Sequence, residues 1–320
     1  MTPPNASAPV SHWSFYARLL GPCVLGVLVW RIETEQVLQV LRNSHLGLLG
    51  LAVLLMIPHL FLRGMRWWFF VRQQGVSLSV GHALNVYAHA VFLGSVTPGR
   101  SGEFLKVFYL KKHGISMGAG MVSVFYDRLL DLFVLFLIGT LAVLYWFIQS
   151  YIFLFSLLIA ISMALIFLWV MRHRLPILHS LKWVAHQLQN FLPQKVHYFT
   201  QEFLEGHRKL QGRNVWGWTF LLTVLAWLLC FLAFAELAQA MELQLSFFLV
   251  AGLTAVTNLV AILPVTIMGL GTREAILIFI LGFYGIPSSQ ALAYGMLQFL
   301  LALVVAILCG ISLLLPLDRL

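Results

Sequence analysis

Three short runs concentrate charge in a chain that is otherwise apolar. SVTPGRSGEFLKVFYLKK (residues 95–112) carries Arg100 and Glu103, FYDRLLDLF carries Asp127, Arg128 and Asp131, and MGLGTREA carries Arg273 and Glu274. Arginine presents a planar fork of donors that matches phosphate or carboxylate bidentately, and helix N-termini attract anions. A carboxylate held near such arginines can orient them or carry a proton, and charges at membrane depth are costly enough to mark a pathway by default. Together these residues have the chemistry to receive an anionic headgroup. A simpler role is open for Glu103 and Glu274. Each stands two residues after a hydroxyl, Ser101 or Thr272, at a helix start, where hydroxyl and carboxylate cap the positive end. Asp127 and Asp131 are four apart and share one helix face. They either point inward or lie near the cytoplasmic interface and pair with Lys111, Lys112 or Arg100.

Other chemistry finds no support. There is no GxxxxGK[ST], GxSxG or HExxH, and no strand precedes GLGTRE to make it a nucleotide loop. Cys23, Cys230 and Cys309 are far apart in apolar segments, the histidines show no ligand spacing, and His59 reads as a packed core residue. No metal, cofactor or nucleic-acid partner is expected, and no enzymatic activity.

The elements that position these groups follow from composition. The chain is 61% hydrophobic and 10% charged, with mean hydropathy +0.91, where a soluble domain carries about 25% charged residues. It reads as an all-α polytopic membrane protein forming a single domain over residues 1–320. Stretches able to span as helices run over 14–30, 46–62, 117–147, 151–170, 216–236 and 290–316. Two shorter ones, 77–96 and 246–262, run into the turns TPGRSGE and MGLGTRE and are each followed by another short apolar helix. That pattern predicts about six transmembrane helices plus two re-entrant helical hairpins, whose irregular turns are tolerated only inside protein or against a water-filled cavity.

Arg63, Arg66 and Arg72, taken as a loop after the second span, and the basic segment 172–214 are expected on the cytoplasmic side, with both termini. Within 172–214, LHSLKWVAHQLQNFL and VHYFTQEFLEGHRKL read as amphipathic helices on the membrane surface. GISMG at 114–118 is a weak small-residue dimer signal.

An offset of 171 residues lays RSGEFLKVFYLKKHGI on GTREAILIFILGFYGI, matching Glu103 with Glu274, Ser101 with Thr272, and Gly114-Ile115 with Gly285-Ile286. Lys106, Lys111 and Lys112 fall on Leu277, Gly282 and Phe283, as expected of an inverted-topology repeat whose halves, about 46–150 and 216–316, face opposite sides. Such a pair of broken helices builds a midplane site. Its turns would be Pro98, Gly99, Ser101, Gly102, Gly269, Gly271 and Thr272. Asn85, His89 and Asn258, with Gln298 (which falls on Asp127), would line the cavity or bond across helices.

TPGRSGEFLK, YDRLLDLF and GLGTREA, in that order, resemble the transmembrane flippase-like domain of lysylphosphatidylglycerol synthases and its stand-alone relatives, over about residues 46–316. In the two-domain synthases the membrane part moves an aminoacylated phospholipid between leaflets, and a separate soluble domain makes that lipid. With the chain stopping at LLLPLDRL, the resemblance implies the translocation half without the aminoacyltransferase. It marks Pro98, Gly99, Arg100, Gly102 and Glu103, then Asp127, Arg128 and Asp131, then Gly269, Gly271, Arg273 and Glu274 as the functional residues. The expectation is a flippase of the bacterial inner membrane for an anionic or modified phospholipid or a lipid-linked molecule. A cytoplasmic lipid-modifying enzyme is a possible partner. The alternatives are a membrane-embedded transferase with Asp127 or Glu103 as general base, and a non-transporting accessory to a glycosyltransferase or synthase.

Overall fold

A computed structural model describes residues 42–146, 194–210, 213–261 and 269–312, together with Ser162. The expected spans 14–30 and, apart from Ser162, 151–170, most of the 31–45 loop, Cys23 and the amphipathic stretch 178–192 lie outside these residues. Among the described residues there are nine α-helices and no strand. They are α1 (Leu46–Gln73), α2 (Val80–Val96), α3 (Leu105–Lys112), α4 (Met117–Trp146), α5 (Gln194–Lys209), α6 (Arg213–Ala240), α7 (Phe247–Ala261), α8 (Thr272–Gly282) and α9 (Ser288–Ile311). A 3-10 turn, Pro98–Phe104, joins α2 to α3.

Helices α1, α6 and α9 are long and apolar enough to cross a membrane, and each leaves large apolar side chains exposed, among them Leu54, Phe61, Trp218, Leu228 and Ile307. Soluble surfaces rarely carry such contiguous apolar faces. The protein is a membrane protein. Helix α4 has 30 residues but holds Asp127, Arg128 and Asp131 in its interior.

The structure corrects the end of the second expected span, 46–62. Helix α1 does not stop at residue 62 but runs to Gln73, through Arg63, Arg66 and the apolar WWFFV that follows them. Arg63 and Arg66 are therefore buried helix residues rather than loop residues.

Helices α1 and α6 form the most extensive pair. They run antiparallel: His45 N donates to Ala240 O and His59 Nδ1 lies 2.7 Å from Ala226 O. His59 is the packed core residue expected. At the other end of α1, Gln74 Nε2 donates to Ala119 O at the start of α4. Arg72, Lys111, Lys112, Arg208 and Lys209, all exposed, thus gather at that end, whereas Glu242 pairs with His45 at the opposite one.

Local geometry repeats at the 171-residue offset. Helix α4 begins at Met117 and α9 at its counterpart Ser288. Ahead of each, Ile115 N donates to Leu110 O as Ile286 N does to Leu281 O, and Gly114 N to Lys111 O as Gly285 N does to Gly282 O. Gly114 and Gly285 take φ of 83° and 73° at the helix end, the left-handed conformation that terminates a helix with least strain on glycine.

The described amphipathic helix, α5, buries its apolar face on α4 rather than in lipid. Gly118 and Gly206 allow this approach: a Cβ on Gly118 would lie 2.6 Å from Phe199 O, and one on Gly206 2.8 Å from the Ala119 Cα. Gly118 of GISMG therefore serves a contact within the chain. Glu202 Oε2 accepts from Gly118 N, and Tyr126 OH lies 2.6 Å from His207 Nδ1. Burial lowers the His207 imidazole below its ordinary value of 6.5. With the docked ring's pKa depressed, the undocked ring takes up a proton first as pH falls, so the stabilising contribution present above that value is lost in acid. Cleavage by trypsin after Arg208 or Lys209 is expected to accelerate from about pH 7 to about pH 5 relative to a His207→Phe variant. Equal profiles for the two proteins would refute the assignment.

Candidate functional site

Four elements converge on a buried ionic network. Arg63 and Arg66 share a face of α1, Asp127 and Asp131 a face of α4, and Thr219, Thr223 and Trp227 a face of α6, each set at three- or four-residue helical spacing. The arm Glu103–Lys106 closes the fourth side. Arg66 Nε and Nη2 donate to Asp127 Oδ1 at 2.9 and 2.7 Å, while its Nη1 donates to Asp131 Oδ1 at 2.8 Å and Thr223 Oγ1 at 2.9 Å. Arg63 Nη2 reaches Asp131 Oδ2 at 2.6 Å, and Trp227 Nε1 donates to Asp131 Oδ1 at 3.1 Å. Lys106 Nζ bridges Asp127 Oδ2 at 3.0 Å and Glu103 Oε2 at 3.3 Å, lying 4.6 Å from the Tyr87 ring centroid. Arg128 donates to Glu103.

Arg63, Arg66, Lys106 and Arg128 thus face Glu103, Asp127 and Asp131, four cations against three carboxylates. One positive charge is left over before Arg100 is counted. Arg63 Nε and Arg128 Nε find no hydrogen-bond partner among the described residues.

The first turn is closed by backbone contact. A Cβ on Gly102 would come within 2.4 Å of Leu93 O, and one on Gly94 within 2.9 Å of Glu103 Cγ, so only glycine lets the turn lie on α2. Thr97 Oγ1 accepts from Gly102 N at 2.7 Å. Arg100 adopts φ 56°, and its counterpart at the repeat offset, Gly271, adopts 82°. A non-glycine residue in that region signals a conformation held by its surroundings. Arg100 is exposed, and what it faces is a cavity of about 120 Å³ that it shares with Arg63, His59, Trp227, Asn258 and Arg273. A second cavity of about 220 Å³, lined by Phe104, Val124, Leu132 and Leu135 with Arg128, Glu103 and Asp131, meets the first at Arg100, Trp227 and Asn258. Both turns therefore present an arginine to one internal space.

The residues singled out by sequence separate into groups. Arg100, Glu103, Asp127, Arg128, Asp131 and Arg273 all lie in the network or on the cavities. Asp127 and Asp131 point inward, paired with Arg63, Arg66 and Lys106, not with Lys111, Lys112 or Arg100. Glu103 and Glu274, matched in sequence, do different work. Glu103 holds Lys106 and Arg128 and caps nothing, whereas Glu274 Oε2 accepts from Gly271 N at 2.6 Å and caps α8. Ser101 is exposed, and Thr272 Oγ1 donates to Gly269 O at 3.0 Å. Pro98 and Gly99 open the first turn. Gly269, at φ 77°, closes the second against Ala261. Of the expected polar lining, Asn258 borders both cavities, while Asn85, His89 and Gln298 are buried and border neither. Arg63, Arg66, Lys106 and Trp227 were missed. Lys106 is fully buried and so carries no orientation signal. The helical spacing of Arg63 and Arg66 ahead of the apolar WWFFV was the legible sign that the helix continues.

The family model for the lysylphosphatidylglycerol synthase TM region matches residues 18–310. The chain is also similar to a UPF0104 membrane protein of Methanocaldococcus jannaschii, 23% identical over 316 residues and covering 92% of each chain.

Proposed function

Because the chain belongs to the lysylphosphatidylglycerol synthase transmembrane-region family, we propose that it is a translocase for a lipid with an anionic headgroup. The observation that carries this reading is the single internal space onto which Arg100 and Arg273 both open, beside a network with one cation in excess. The headgroup is held there by Arg100 and Arg273. The unused Nε donors of Arg63 and Arg128 give the site further capacity for acceptor oxygens, while the acyl chains remain in lipid.

The two broken segments, α2 to α3 and α7 to α8, are re-entrant hairpins of an inverted pair. Helix α2 starts just past the basic end of α1 and α7 just past Glu242, so they enter from opposite faces, and the repeated helix-end geometry supports a common origin. The basic end, with Arg72, Lys111, Lys112, Arg208 and Lys209, is cytoplasmic, and the membrane is the cytoplasmic one. In the absence of an ATP motif, movement is passive or driven by proton gradient or potential. A transferase using Asp127 as base is disfavoured, since Asp127 is fully buried and held by Arg66 and Lys106.

Purified protein in liposomes should exchange labelled phosphatidylglycerol between leaflets faster than protein-free liposomes do, with zwitterionic lipid exchanged more slowly. Exchange at the protein-free rate for every lipid, under any imposed gradient, would overturn the reading.

A further inference from the structure

Among the described residues four carboxylates are buried around the two turns, and three of them are locked. Asp127 holds Arg66 and Lys106, Asp131 holds Arg63, Arg66 and Trp227, and Glu103 holds Lys106 and Arg128. Protonating any of these would take one carboxylate partner from a cation of the network. Glu274 differs. It has no solvent exposure, its Oε2 accepts from Gly271 N, and its Oε1 has no hydrogen-bond partner among the described residues.

The repeat shows why. In the first half Lys106 joins Glu103 to Asp127. At the 171-residue offset those three become Leu277, Glu274 and Gln298, so the bridging cation is replaced by a leucine. Gln298, also buried, has an Nε2 without a partner among the described residues. Oε1 faces α9, lying 3.4 Å from where a Cβ on Gly295 would stand. Two polar groups left unmatched on neighbouring helices call for an explanation.

We propose that Glu274 carries the coupling proton of the translocase, an inference that rests on the translocase reading above. A proton delivered by water through the cavity forms an O–H bond at Oε1, neutralises the carboxylate and leaves the Gly271 bond to Oε2 in place. The same O–H bond breaks on release to the other face. Adjacent Arg273 lines the cavity, which places Glu274 one residue behind its wall. The charged or titratable groups on its own helix and on the helices packed against it are Arg273 on α8 and Tyr294 and Cys309 on α9, while α7 contributes none; Cys230, His59, Arg63 and Arg100 line the cavity.

The test uses the full chain in phosphatidylglycerol–phosphatidylethanolamine liposomes carrying fluorescent phosphatidylglycerol. In Glu274→Gln the amide oxygen can still accept from Gly271 N, so the cap survives while the titratable group is gone. Wild-type exchange is expected to accelerate under an imposed proton gradient, and in the variant the ratio of rates with and without the gradient should fall to one. Infrared difference spectra across pH should show a protonated-carboxyl band in the wild type that the variant lacks. A wild-type ratio retained by the variant, or acceleration that follows sodium instead of protons, would overturn the proposal. If the band disappears in the variant but the wild type exchanges no lipid, it is the translocase reading that fails, and the coupling role with it.

Discussion

Replacing Arg66 by Ala is expected to destabilise the protein by about 3–5 kcal/mol, the cost of removing one partner from a buried ionic network. Arg66 makes four hydrogen bonds that tie α1 to α4 and α6. Its loss leaves Asp127 with Lys106 and, at 4.0 Å, Arg128, and leaves Asp131 with Arg63, Trp227 and, at 3.9 Å, Arg128. Arg66→Lys should recover only part of the loss, because one ammonium cannot reproduce the planar fork that reaches both carboxylates. Arg72→Ala, six residues further along the same helix but exposed, should change stability by no more than about 0.5 kcal/mol. Thermal melting of the three variants in one detergent decides the matter. Equal melting of Arg66→Ala and Arg72→Ala would show that the network does not hold the helices together.

Replacing Arg100 is expected to separate activity from stability. A hydrogen bond to a charged group is worth about 1.5–3 kcal/mol, so Arg100→Ala should slow lipid exchange by roughly 10- to 150-fold. Arg100 makes no ion pair within 4.0 Å to any described carboxylate and faces the cavity, so its loss should leave the ion pairs of the network in place. Its φ of 56° carries a cost that glycine avoids, so Arg100→Gly should melt at or above the wild-type temperature and yet exchange lipid as slowly as Arg100→Ala. A variant that exchanges lipid at the wild-type rate would remove Arg100 from the pathway. One that loses both stability and exchange would make it a structural residue.

Much of the site was legible before any coordinates. The charged runs around Arg100, Asp127 and Glu274 stand out because a chain with 10% charged residues has few places to put them, and the repeat offset that pairs Glu103 with Glu274 reappears as matched helix ends at Gly114 and Gly285. Membrane character followed from composition alone, since apolar length and hydropathy are local properties. What the sequence could not supply was partnership. Arg63 and Arg66 looked like loop residues at the end of an apolar stretch because only the packing of α1 on α4 and α6 brings Asp127 and Asp131 within 3 Å of them. Lys106 read as part of the orientation signal of the first half for the same reason. Gly118 looked like an oligomer signal until α5, some 80 residues later, was found against it. Two glutamates on matching positions became an ion-pair partner and a helix cap because one meets Lys106 and Arg128 while the other accepts from the Gly271 amide. The chain determined by itself which residues carry charge and how often apolar ones recur. Only the tertiary structure decided which charges neutralise one another, because Coulomb and hydrogen-bond energies depend on distances that separation along a chain does not set.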